Sequence, residues 1–289
     1  MRFAKGHGTE NDFVILLDPD GREGLTSALA ARLCDRRAGI GADGVLRAVR
    51  TAAMPRAEVR AAAGGPGAEP GPEWFMDYRN ADGGVAEMCG NGIRVFARYL
   101  AEHGLAEGKE FTVATRSGPR RVRLEAPGSG EAGWVGDVTV DMGSVAVLGP
   151  GKAMVGGQQY AGLRISVGNP HLACLVHAPL ASFDLSRPPG LDPGQFPDGG
   201  NVELVRLTGP GSLAMRVHER GSGETRSCGT GAVAAAVAAA AAAGQDGPWS
   251  VTVPGGELTV ALEAGRAWLT GPAVIVAEGE LAPDWLAAS

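Results

Sequence analysis

Short apolar runs bounded by turn residues cover most of the chain, and two longer apolar runs each follow the letters Cys-Gly-x-Gly. The short runs, such as residues 12–18, 201–207 and 213–218, have the length or the period of two that is typical of β-strands. The longer runs begin at Cys89 and Cys228, and their length predicts helices. The pattern therefore predicts many short strands and one long helix in each half of the chain.

The predicted elements occur in a similar order in the two halves. Residues 232–243 are all alanine or valine, so the second long helix is apolar on every face and must be surrounded by other elements. Strands curled around a central helix satisfy this requirement, and cysteines about half the chain apart are what a gene duplication produces. The predicted strands are residues 2–5, 12–18, 45–49, 74–78, 111–115, 121–125, 134–141, 162–167, 172–176, 201–207, 213–218, 250–253, 258–262, 267–270 and 274–277, and the other predicted helices are residues 25–33 and 89 to about 105.

Two stretches interrupt this pattern. Residues 52–72 are rich in alanine, glycine and proline without an apolar period, and are predicted to form a mobile surface insertion. Residues 39–44, Gly-Ile-Gly-Ala-Asp-Gly, match the letters of a dinucleotide-binding fingerprint. That fingerprint needs a strand before it and a helix after it, whereas here a predicted helix precedes it and a predicted strand follows. A nicotinamide or flavin cofactor is therefore not expected.

The composition is that of a globular protein with an acidic balance. At 289 residues, with 44% hydrophobic and 20% charged residues, the chain is long enough for about two domains. Its 26 basic and 32 acidic residues give a net charge of −6 without a basic block, so nucleic acid and an anionic membrane surface are not expected as partners. No secretory signal occurs in residues 1–12, and the apolar run 232–243 is shorter than the roughly 17 to 25 residues of a membrane span. A cytoplasmic protein is expected.

Cysteine and histidine residues are scattered along the chain. No C-x-x-C pair occurs and no histidine pairs closely with a cysteine, so no metal site is predicted. In a chain without an export signal the cysteines are expected to be free thiols, and Cys34 and Cys174 are interpreted as small buried hydrophobic residues. The cysteines are Cys34, Cys89, Cys174 and Cys228, and the histidines are His7, His103, His171, His177 and His218.

Cys89 and Cys228 stand in the same turn context. A cysteine at a helix N-terminus meets the positive end of the helix dipole and unpaired N–H groups, which favour a thiolate. If the two halves face each other, amides around residues 90–91 and 229–230 can hold a carboxylate, with a sulfur on each side of the adjoining carbon. One sulfur can then remove a proton while the other delivers one to the opposite face. Taken singly, each cysteine fits a buried hydrophobic residue equally well, and a disulfide between them is a further alternative that the cytosolic context disfavours.

Several separated motifs occur in one order along the chain and together resemble the diaminopimelate epimerase family over nearly its whole length. The motifs are residues 3–13 (FAKGHGTENDF), 34–46 (CDRRAGIGADGVL), 77–96 (DYRNADGGVAEMCGNGIRVF), 168–171 (GNPH) and 216–231 (RVHERGSGETRSCGTG). The family consists of cofactor-independent epimerases of bacterial lysine and cell-wall precursor synthesis. The resemblance implies an α/β (α+β) fold of two pseudo-symmetric domains, each a curled, mostly antiparallel sheet or barrel around a central helix. The implied domains are residues 1–134, completed by about 276–289, and residues 135–275.

The resemblance also implies a reaction and its residues. The reaction is the interconversion of LL- and meso-2,6-diaminopimelate by a homodimer, with Cys89 and Cys228 as acid and base and without metal or cofactor. Glu219 is implied to hold the amino group at the reacting centre and, together with His171, to support the thiols. The other implied substrate-binding residues are Gly90, Asn91, Gly229 and Thr230 for the reacting carboxylate, Asn80, Asn169, Asn201 and Arg220 for the distal amino acid end, and Asn11.

Ordinary structural roles remain open for several of these residues. Asn11, Asn80 and Asn169 lie in turn-rich segments, where asparagine commonly caps its own backbone. Glu219 and Arg220 can form an exposed ion pair of little energetic consequence.

The chain departs from the family pattern at three places. Glu10 stands where many relatives carry glycine, Gly44 stands where some carry a ligand-contacting glutamine, and the insertion at residues 52–72 is longer than in compact members. Two other functions also fit part of the pattern. One is a racemase or epimerase of another amino acid, such as proline or hydroxyproline, on the same scaffold. The other is a non-catalytic amino acid binding protein, which leaves the matching cysteine turns unexplained.

Overall fold

The computed structural model describes residues 1–55, 71–125 and 136–287, in which β-strands dominate. Most of the predicted insertion, residues 56–70, lies outside the described residues. The described strands are β1 (Arg2–Gly8), β2 (Asn11–Leu17), β3 (Gly44–Arg50), β4 (Trp74–Asn80), β5 (Glu110–Thr115), β6 (Gly118–Leu124), β7 (Val138–Ser144), β8 (Ala146–Val155), β9 (Gln158–Ser166), β10 (Pro170–Leu175), β11 (Gly190–Leu191), β12 (Asn201–Gly209), β13 (Ser212–Glu219), β14 (Gly223–Thr225), β15 (Trp249–Val253), β16 (Gly256–Glu263), β17 (Arg266–Gly271) and β18 (Val274–Glu280). The described helices are α1 (Ser27–Cys34), α2 (Gly90–Glu102), α3 (Gly229–Ala243) and α4 (Pro283–Ala287).

The chain divides into two compact units. The first unit consists of Met1–Val140 with Pro272–Ser289, and the second is Asp141–Gly271. In the first unit, β1 pairs in antiparallel fashion with β18 and β2. Helix α2 contacts β1, β2, β6 and β18, so the sheet of this unit curls around it. The predicted domain limits, residues 1–134 with about 276–289 and residues 135–275, stay a prediction.

The second unit is built in the same way around α3. Strand β9 pairs in antiparallel fashion with β8 and β10, and α3 contacts β9, β10, β12, β13 and β16. Every residue from Gly229 to Ala236 in α3 is buried, which the alanine and valine side chains allow because strands can approach a narrow helix closely. The helix ends at Gly244, whose φ of 61° lies in the left-handed region that favours glycine.

The order of strand pairings is identical in the two units. From β1 onward the successive pairs β1–β2, β2–β3, β3–β4, β4–β5, β5–β6 and β6–β7 are antiparallel, parallel, antiparallel, parallel, antiparallel and antiparallel. From β9 onward the pairs β9–β10, β10–β12, β12–β13, β13–β15, β15–β16 and β16–β17 repeat that series. Each long helix follows the fourth strand of its series. The internal repeat indicated by the cysteine motifs is therefore a repeat of topology.

The predicted fold class is confirmed, and so is the helix, turn and strand order around residues 39–44. Strand β8 was not predicted, because Gly149 and Pro150 interrupt its apolar pattern; Gly149 has a φ of 94°, and the register with β9 shifts beside it. Helix α4 was not predicted either, since five residues are too few for a periodic signal. No helix within residues 1–55, 71–125 and 136–287 is both long enough and apolar enough to cross a membrane.

Strands β10 and β12 of the second unit have two different buried faces. One face carries Leu172, Cys174, Val202 and Leu204, which belong to an apolar cluster. Because side chains alternate along a strand, the residues between them point to the other face, toward α3. This second face carries His171, Asn201 and Glu203, all of them buried.

Candidate active site

Helix α2 begins directly after Cys89, whose side chain caps it. The Cys89 backbone is extended, with φ −138° and ψ 118°, and its Sγ accepts a hydrogen bond from the N–H of Gly92 at 3.3 Å. A Cβ at Gly92 would lie 3.2 Å from a methyl carbon of Leu46 and 3.3 Å from Cys89 Cβ, which explains why a glycine stands there. The sulfur thus lies at the positive end of the helix dipole, and Cys89 is half-buried.

The same cap recurs at α3. Cys228 has φ −130° and ψ 117°, and its Sγ accepts from the N–H of Gly231 at 3.4 Å. A Cβ at Gly231 would lie 3.2 Å from Cys228 Cβ and 2.9 Å from Glu203 Oε1. The two Cys-Gly-x-Gly motifs are therefore one local structure used twice, although Cys228 is more deeply buried than Cys89.

Asn11 is the polar neighbour of Cys89. Its Oδ1 lies 3.8 Å from Cys89 Sγ and accepts a hydrogen bond from Asn91 Nδ2 at 3.2 Å. Its Nδ2 donates to Asp43 Oδ2 at 2.8 Å. Because a carboxylate only accepts, the amide nitrogen of Asn11 must face Asp43 and the oxygen must face the sulfur. The structure therefore brings three predicted site residues, Asn11, Cys89 and Asn91, into one hydrogen-bonded group.

A fully buried arginine follows Cys89 by little more than one helical turn. The guanidinium of Arg94 donates to Thr9 Oγ1 at 3.2 Å, to Pro272 O at 3.3 Å and to Gly90 O at 3.4 Å. Burial lowers the pKa of Arg94 to about 10, against the opposing effect of negative charge on Cys89, so the side chain is cationic at neutral pH. That interaction is mutual, and the buried cation favours the thiolate form of Cys89.

His171 is the centre of the polar network in the second unit. It is fully buried, with Nδ1 2.7 Å from Glu203 Oε1 and Nε2 2.9 Å from Asn169 Oδ1. Asn201 Nδ2 lies 3.5 Å from the same Nε2. Through Asn169 Nδ2, which donates to Thr230 Oγ1 at 3.4 Å, the network reaches the first turn of α3. Three predicted site residues, Asn169, Asn201 and Thr230, are therefore linked to the His171 ring directly or through one hydrogen bond.

Cys228 ends this network. Its Sγ lies 3.5 Å from Thr230 Oγ1. Burial raises the pKa of the Cys228 thiol well above 9.0, and the charges of Glu219 and Glu203 raise it further, while hydrogen bonds at the cap oppose them. Burial also raises the pKa of Glu219, opposed by hydrogen bonds from Thr225 and Cys228. At neutral pH the Cys228 side chain is therefore a thiol, with the Glu219 carboxyl as its acceptor.

Two further predicted binding residues are Arg220 and Asn80. The Arg220 side chain is exposed, and its backbone N–H donates to Asn201 Oδ1 at 2.9 Å. Asn80 ends β4 and is paired with Gly44 of β3. Within the part of the chain that the structure describes, no hydrogen bond joins the Asn80 side chain to Cys89, Asn11 or Asn91.

Of the two single-residue departures from the family pattern, the one at Gly44 has a local explanation. A Cβ at Gly44 would lie 2.6 Å from both Tyr78 Cε2 and Arg79 O, so this packing excludes a glutamine. Glu10 has a φ of 59°, in the left-handed region that favours glycine, so the backbone does not explain a glutamate there.

Sequence reasoning missed Asp43, Arg94 and Glu203. Two of them carried a signal: Arg94 and Glu203 are charges within largely apolar runs, and such charges are buried only with partners. Glu203 also lies two positions after Asn201 and therefore on the same face of a strand. Asp43 has no such signal, because it lies in a turn where aspartate is common.

Cys34 and Cys174 are buried as predicted. Burial raises the pKa of the Cys34 thiol to about 11 and that of the Cys174 thiol to about 12, so both are unreactive at neutral pH. No group of three or more His, Cys, Asp or Glu residues that could hold a metal ion occurs among the described residues.

Comparison with known proteins connects this geometry to a family. A family model described as diaminopimelate epimerase matches residues 3–148 and 163–279. A diaminopimelate epimerase from Thermobifida fusca is 60% identical over 281 residues, covering 97% of this chain and 98% of the relative. One from Rhodococcus opacus is 52% identical over 290 residues, covering 99% of this chain and 98% of the relative.

A solved structure extends the comparison at the level of fold. A probable proline racemase from Agrobacterium radiobacter with bound carbonate superposes with a TM-score of 0.65 at 15% identity, covering 98% of this chain and 93% of the other, which shows a common fold alone. The family model and the relatives define this protein as an isomerase of the epimerase class. The chain belongs to the diaminopimelate epimerase family.

Proposed function

We propose that this protein interconverts LL- and meso-2,6-diaminopimelate without a cofactor, using Cys89 and Cys228 to exchange the α-proton. The observation that carries the proposal is the identical cysteine cap on α2 and α3, in a chain 60% identical to a diaminopimelate epimerase over 97% of its length. The family resemblance assigns the reaction to bacterial lysine and peptidoglycan precursor synthesis.

In the proposed reaction one sulfur removes the proton and the other replaces it. The thiolate of one cysteine takes the proton as the C–H bond breaks, and the electron pair stays on the α-carbon. The thiol of the other cysteine then gives its proton to the opposite face of that carbon and becomes the thiolate, so protons and charge balance. We assign the resting thiol to Cys228, because burial and two glutamates keep it protonated, and the resting thiolate to Cys89, beside the cationic Arg94.

Backbone N–H groups in the first turns of α2 and α3 are proposed to bind the reacting carboxylate. The caps use the N–H groups of Gly92 and Gly231, and the two N–H groups before each of these point out of the helix start. Fixed dipoles beside the carboxylate stabilise the carbanion as its charge develops. The proposed donors are Gly90, Asn91, Gly229 and Thr230.

The polar groups around His171 are proposed to select a substrate with two amino acid ends. Asn169 and Asn201 both adjoin His171 Nε2, and the Asn201 side chain also binds the backbone of Arg220. With Asn80 these residues are assigned to the distal end, while Glu219 is assigned to the reacting amino group and Asn11 to substrate contact near Cys89. A substrate such as proline has no second amino acid end to use these groups.

Proton exchange in D2O tests the reaction directly. Reduced protein incubated with LL-2,6-diaminopimelate is expected to place deuterium on the α-carbon and to form the meso isomer. Proline and hydroxyproline, tested alongside, are expected to acquire no deuterium. Folded, reduced protein that binds diaminopimelate without exchanging its α-proton would instead support an amino acid binding protein.

Cysteine variants test the two-base scheme. Cys89→Ser and Cys228→Ser are each expected to abolish epimerisation, because each sulfur is needed on one face of the carbon. Cys174→Ala is the matched control, since that thiol is buried and protonated, and it is expected to remain active. Full epimerase activity in either serine variant would disprove the scheme.

The assembly and compartment also belong to the proposal. We propose a cytoplasmic homodimer, as the family resemblance implies. Light scattering coupled to gel filtration is expected to give twice the chain mass of 29.4 kDa, and a monomer would contradict it. Cell fractionation of the producing bacterium is expected to place the protein with cytoplasmic markers.

A further inference from the structure

Glu203 is a fully buried carboxylate that no motif of the sequence singles out. We propose that Glu203 is a positioning residue, which binds the Nδ1 proton of His171 and thereby presents Nε2 to the side-chain amides of Asn169 and Asn201. The inference rests on the proposed function, because Asn169 and Asn201 are assigned there to the distal end of the substrate. Glu203 itself is assigned no contact with substrate.

The geometry fixes the histidine ring at both nitrogens. Glu203 Oε1 lies 2.7 Å from His171 Nδ1, and a carboxylate can only accept, so Nδ1 carries a proton; the Asn169 oxygen beside Nε2 also accepts, so Nε2 is a donor in this geometry. With that nitrogen fixed, Nε2 lies 2.9 Å from Asn169 Oδ1 and 3.5 Å from Asn201 Nδ2. Release of Nδ1 would let the ring turn about its Cβ–Cγ bond and would move Nε2 away from both amides.

The strand register explains how Glu203 reaches this ring. Strands β10 and β12 are parallel, with His171 opposite Asn201 and Ala173 opposite Glu203. The small side chain of Ala173 leaves the Glu203 carboxyl free to extend along the sheet toward the histidine. On the α3 side, Gly231 leaves room for the Glu203 carboxylate, since a Cβ there would lie 2.9 Å from Glu203 Oε1.

A purely structural role does not account for a charge at this position. The second carboxylate oxygen, Glu203 Oε2, is buried and accepts no hydrogen bond from any described residue. Burying an ionised group with an unused oxygen costs free energy that an apolar side chain of the same size would avoid. The charge lies near the N-terminal turn of α3, whose dipole compensates part of that cost.

The charge of Glu203 acts on its neighbours as well as on His171. The titratable groups of this network are His171 on β10, Glu219 at the end of β13 and Cys228 at the start of α3. Burial and Glu219 raise the pKa of Cys228, and Glu203 adds to the rise. A glutamine in its place retains an acceptor for Nδ1 but removes the charge. It therefore separates the hydrogen bond to His171 from the effect of the charge on Cys228.

Three variants of the full-length protein test the proposal. Glu203→Met removes both the acceptor and the charge, Glu203→Gln removes only the charge, and Glu257→Gln makes the same chemical change at an exposed site in β16. With 15N-labelled histidine, the Nδ1–H signal of His171, assigned with a His171→Gln variant, is measured by NMR. Iodoacetamide labelling of Cys228 is followed against pH by mass spectrometry.

Glu203→Met is expected to lose the protected His171 Nδ1–H signal, whereas Glu203→Gln is expected to keep it at a shifted position. Both variants are expected to be alkylated at Cys228 at lower pH than the wild type, and Glu257→Gln is expected to match the wild type. Activity in Glu203→Met is expected to fall about 10- to 100-fold, as when the partner that orients a functional histidine is lost.

An unchanged His171 signal in Glu203→Met would overturn the proposal. Should that variant fail to fold, Glu203→Asp serves instead, because it keeps the charge but withdraws the carboxylate from Nδ1. An unchanged His171 signal and unchanged activity in Glu203→Asp would equally overturn the proposal. The NMR and labelling measurements need no substrate. They therefore decide the role of Glu203 even if the wild-type protein does not epimerise diaminopimelate, a result that would instead refute the proposed function.

Discussion

Asp43 determines which end of the Asn11 amide faces Cys89. Its carboxylate accepts a hydrogen bond from Asn11 Nδ2 at 2.8 Å, which leaves Asn11 Oδ1 at 3.8 Å from the sulfur. The other Asp43 oxygen accepts from Arg36 Nη2 at 2.7 Å, so the carboxylate is itself held in place. Asp43 therefore keeps the oxygen of the Asn11 amide facing the Cys89 sulfur.

Asp43→Asn is expected to reduce epimerase activity roughly 10-fold, as when a residue that orients a functional side chain is lost. An asparagine can donate or accept at this position, so the Asn11 amide is no longer held in one orientation. Steady-state kinetics provides the measurement. Asp20→Asn is the control, because Asp20 forms an exposed pair with Arg22 at 3.4 Å, and this variant is expected to show wild-type activity. Equal activity in the two variants would contradict the positioning role of Asp43.

The four cysteines are expected to react with iodoacetamide in a definite order. Only a thiolate reacts, and burial raises the pKa of Cys34 to about 11, that of Cys174 to about 12 and that of Cys228 well above 9.0. A raised pKa lowers the thiolate fraction at any given pH below it. Between pH 7 and 8 we therefore expect a single modification, at Cys89, detected by peptide mapping. Modification of Cys228 before Cys89 would reverse the proposed resting assignment.

Arg94 is expected to control that reactivity through its charge. Arg94→Met removes the buried cation and should slow alkylation of Cys89 at pH 7 to 8, whereas Arg94→Lys keeps a cation and should slow it less. The methionine variant also removes the hydrogen bonds to Thr9 Oγ1, Pro272 O and Gly90 O, and each such bond contributes about 0.5–1.5 kcal/mol to stability. Denaturant unfolding measures that loss. Arg37→Met, at an exposed site, serves as the control and should change neither quantity.

The features of the fold and site that depend on local sequence could be predicted. The apolar runs after Cys89 and Cys228 predicted helices, and α2 and α3 begin where the cysteine motifs lie. The contact between His171 and Glu203 could not be predicted, because it spans 32 residues and depends on the parallel register of β10 and β12. The catalytic and binding roles of the site residues stay a prediction.

Asp12 is expected to contribute stability that depends on pH. Burial alone raises the pKa of Asp12, but hydrogen bonds and charges from Arg36 and Lys5 outweigh it and lower the value to about 2. Because the folded pKa lies below the ordinary value of 3.8, this contribution is present above about pH 4 and is lost as the pH falls toward 2. Urea unfolding should show Asp12→Asn to be less stable than the wild type at pH 6, with a smaller gap at pH 3. A gap that grows on acidification would contradict the assignment.

Gly231→Ala tests whether the glycine of the cysteine motif is required by packing. The new methyl group would lie 2.9 Å from Glu203 Oε1 and 3.2 Å from Cys228 Cβ, closer than side chains normally approach. Alanine favours a helix over glycine by about 1 kcal/mol, but overpacking costs about 1–3 kcal/mol, so we expect a net loss of stability.

The same methyl group should displace the Glu203 carboxylate from His171 and lower activity more than stability, as measured by kinetics and urea unfolding together. Gly247→Ala is the matched control, since nothing lies within 4 Å of its added Cβ. Gly92→Ala should be milder than Gly231→Ala, because its nearest neighbours are a Leu46 methyl at 3.2 Å and Cys89 Cβ at 3.3 Å, with no carboxylate among them. If Gly92→Ala proved the more damaging change, the difference between the two caps would have to come from something other than Glu203.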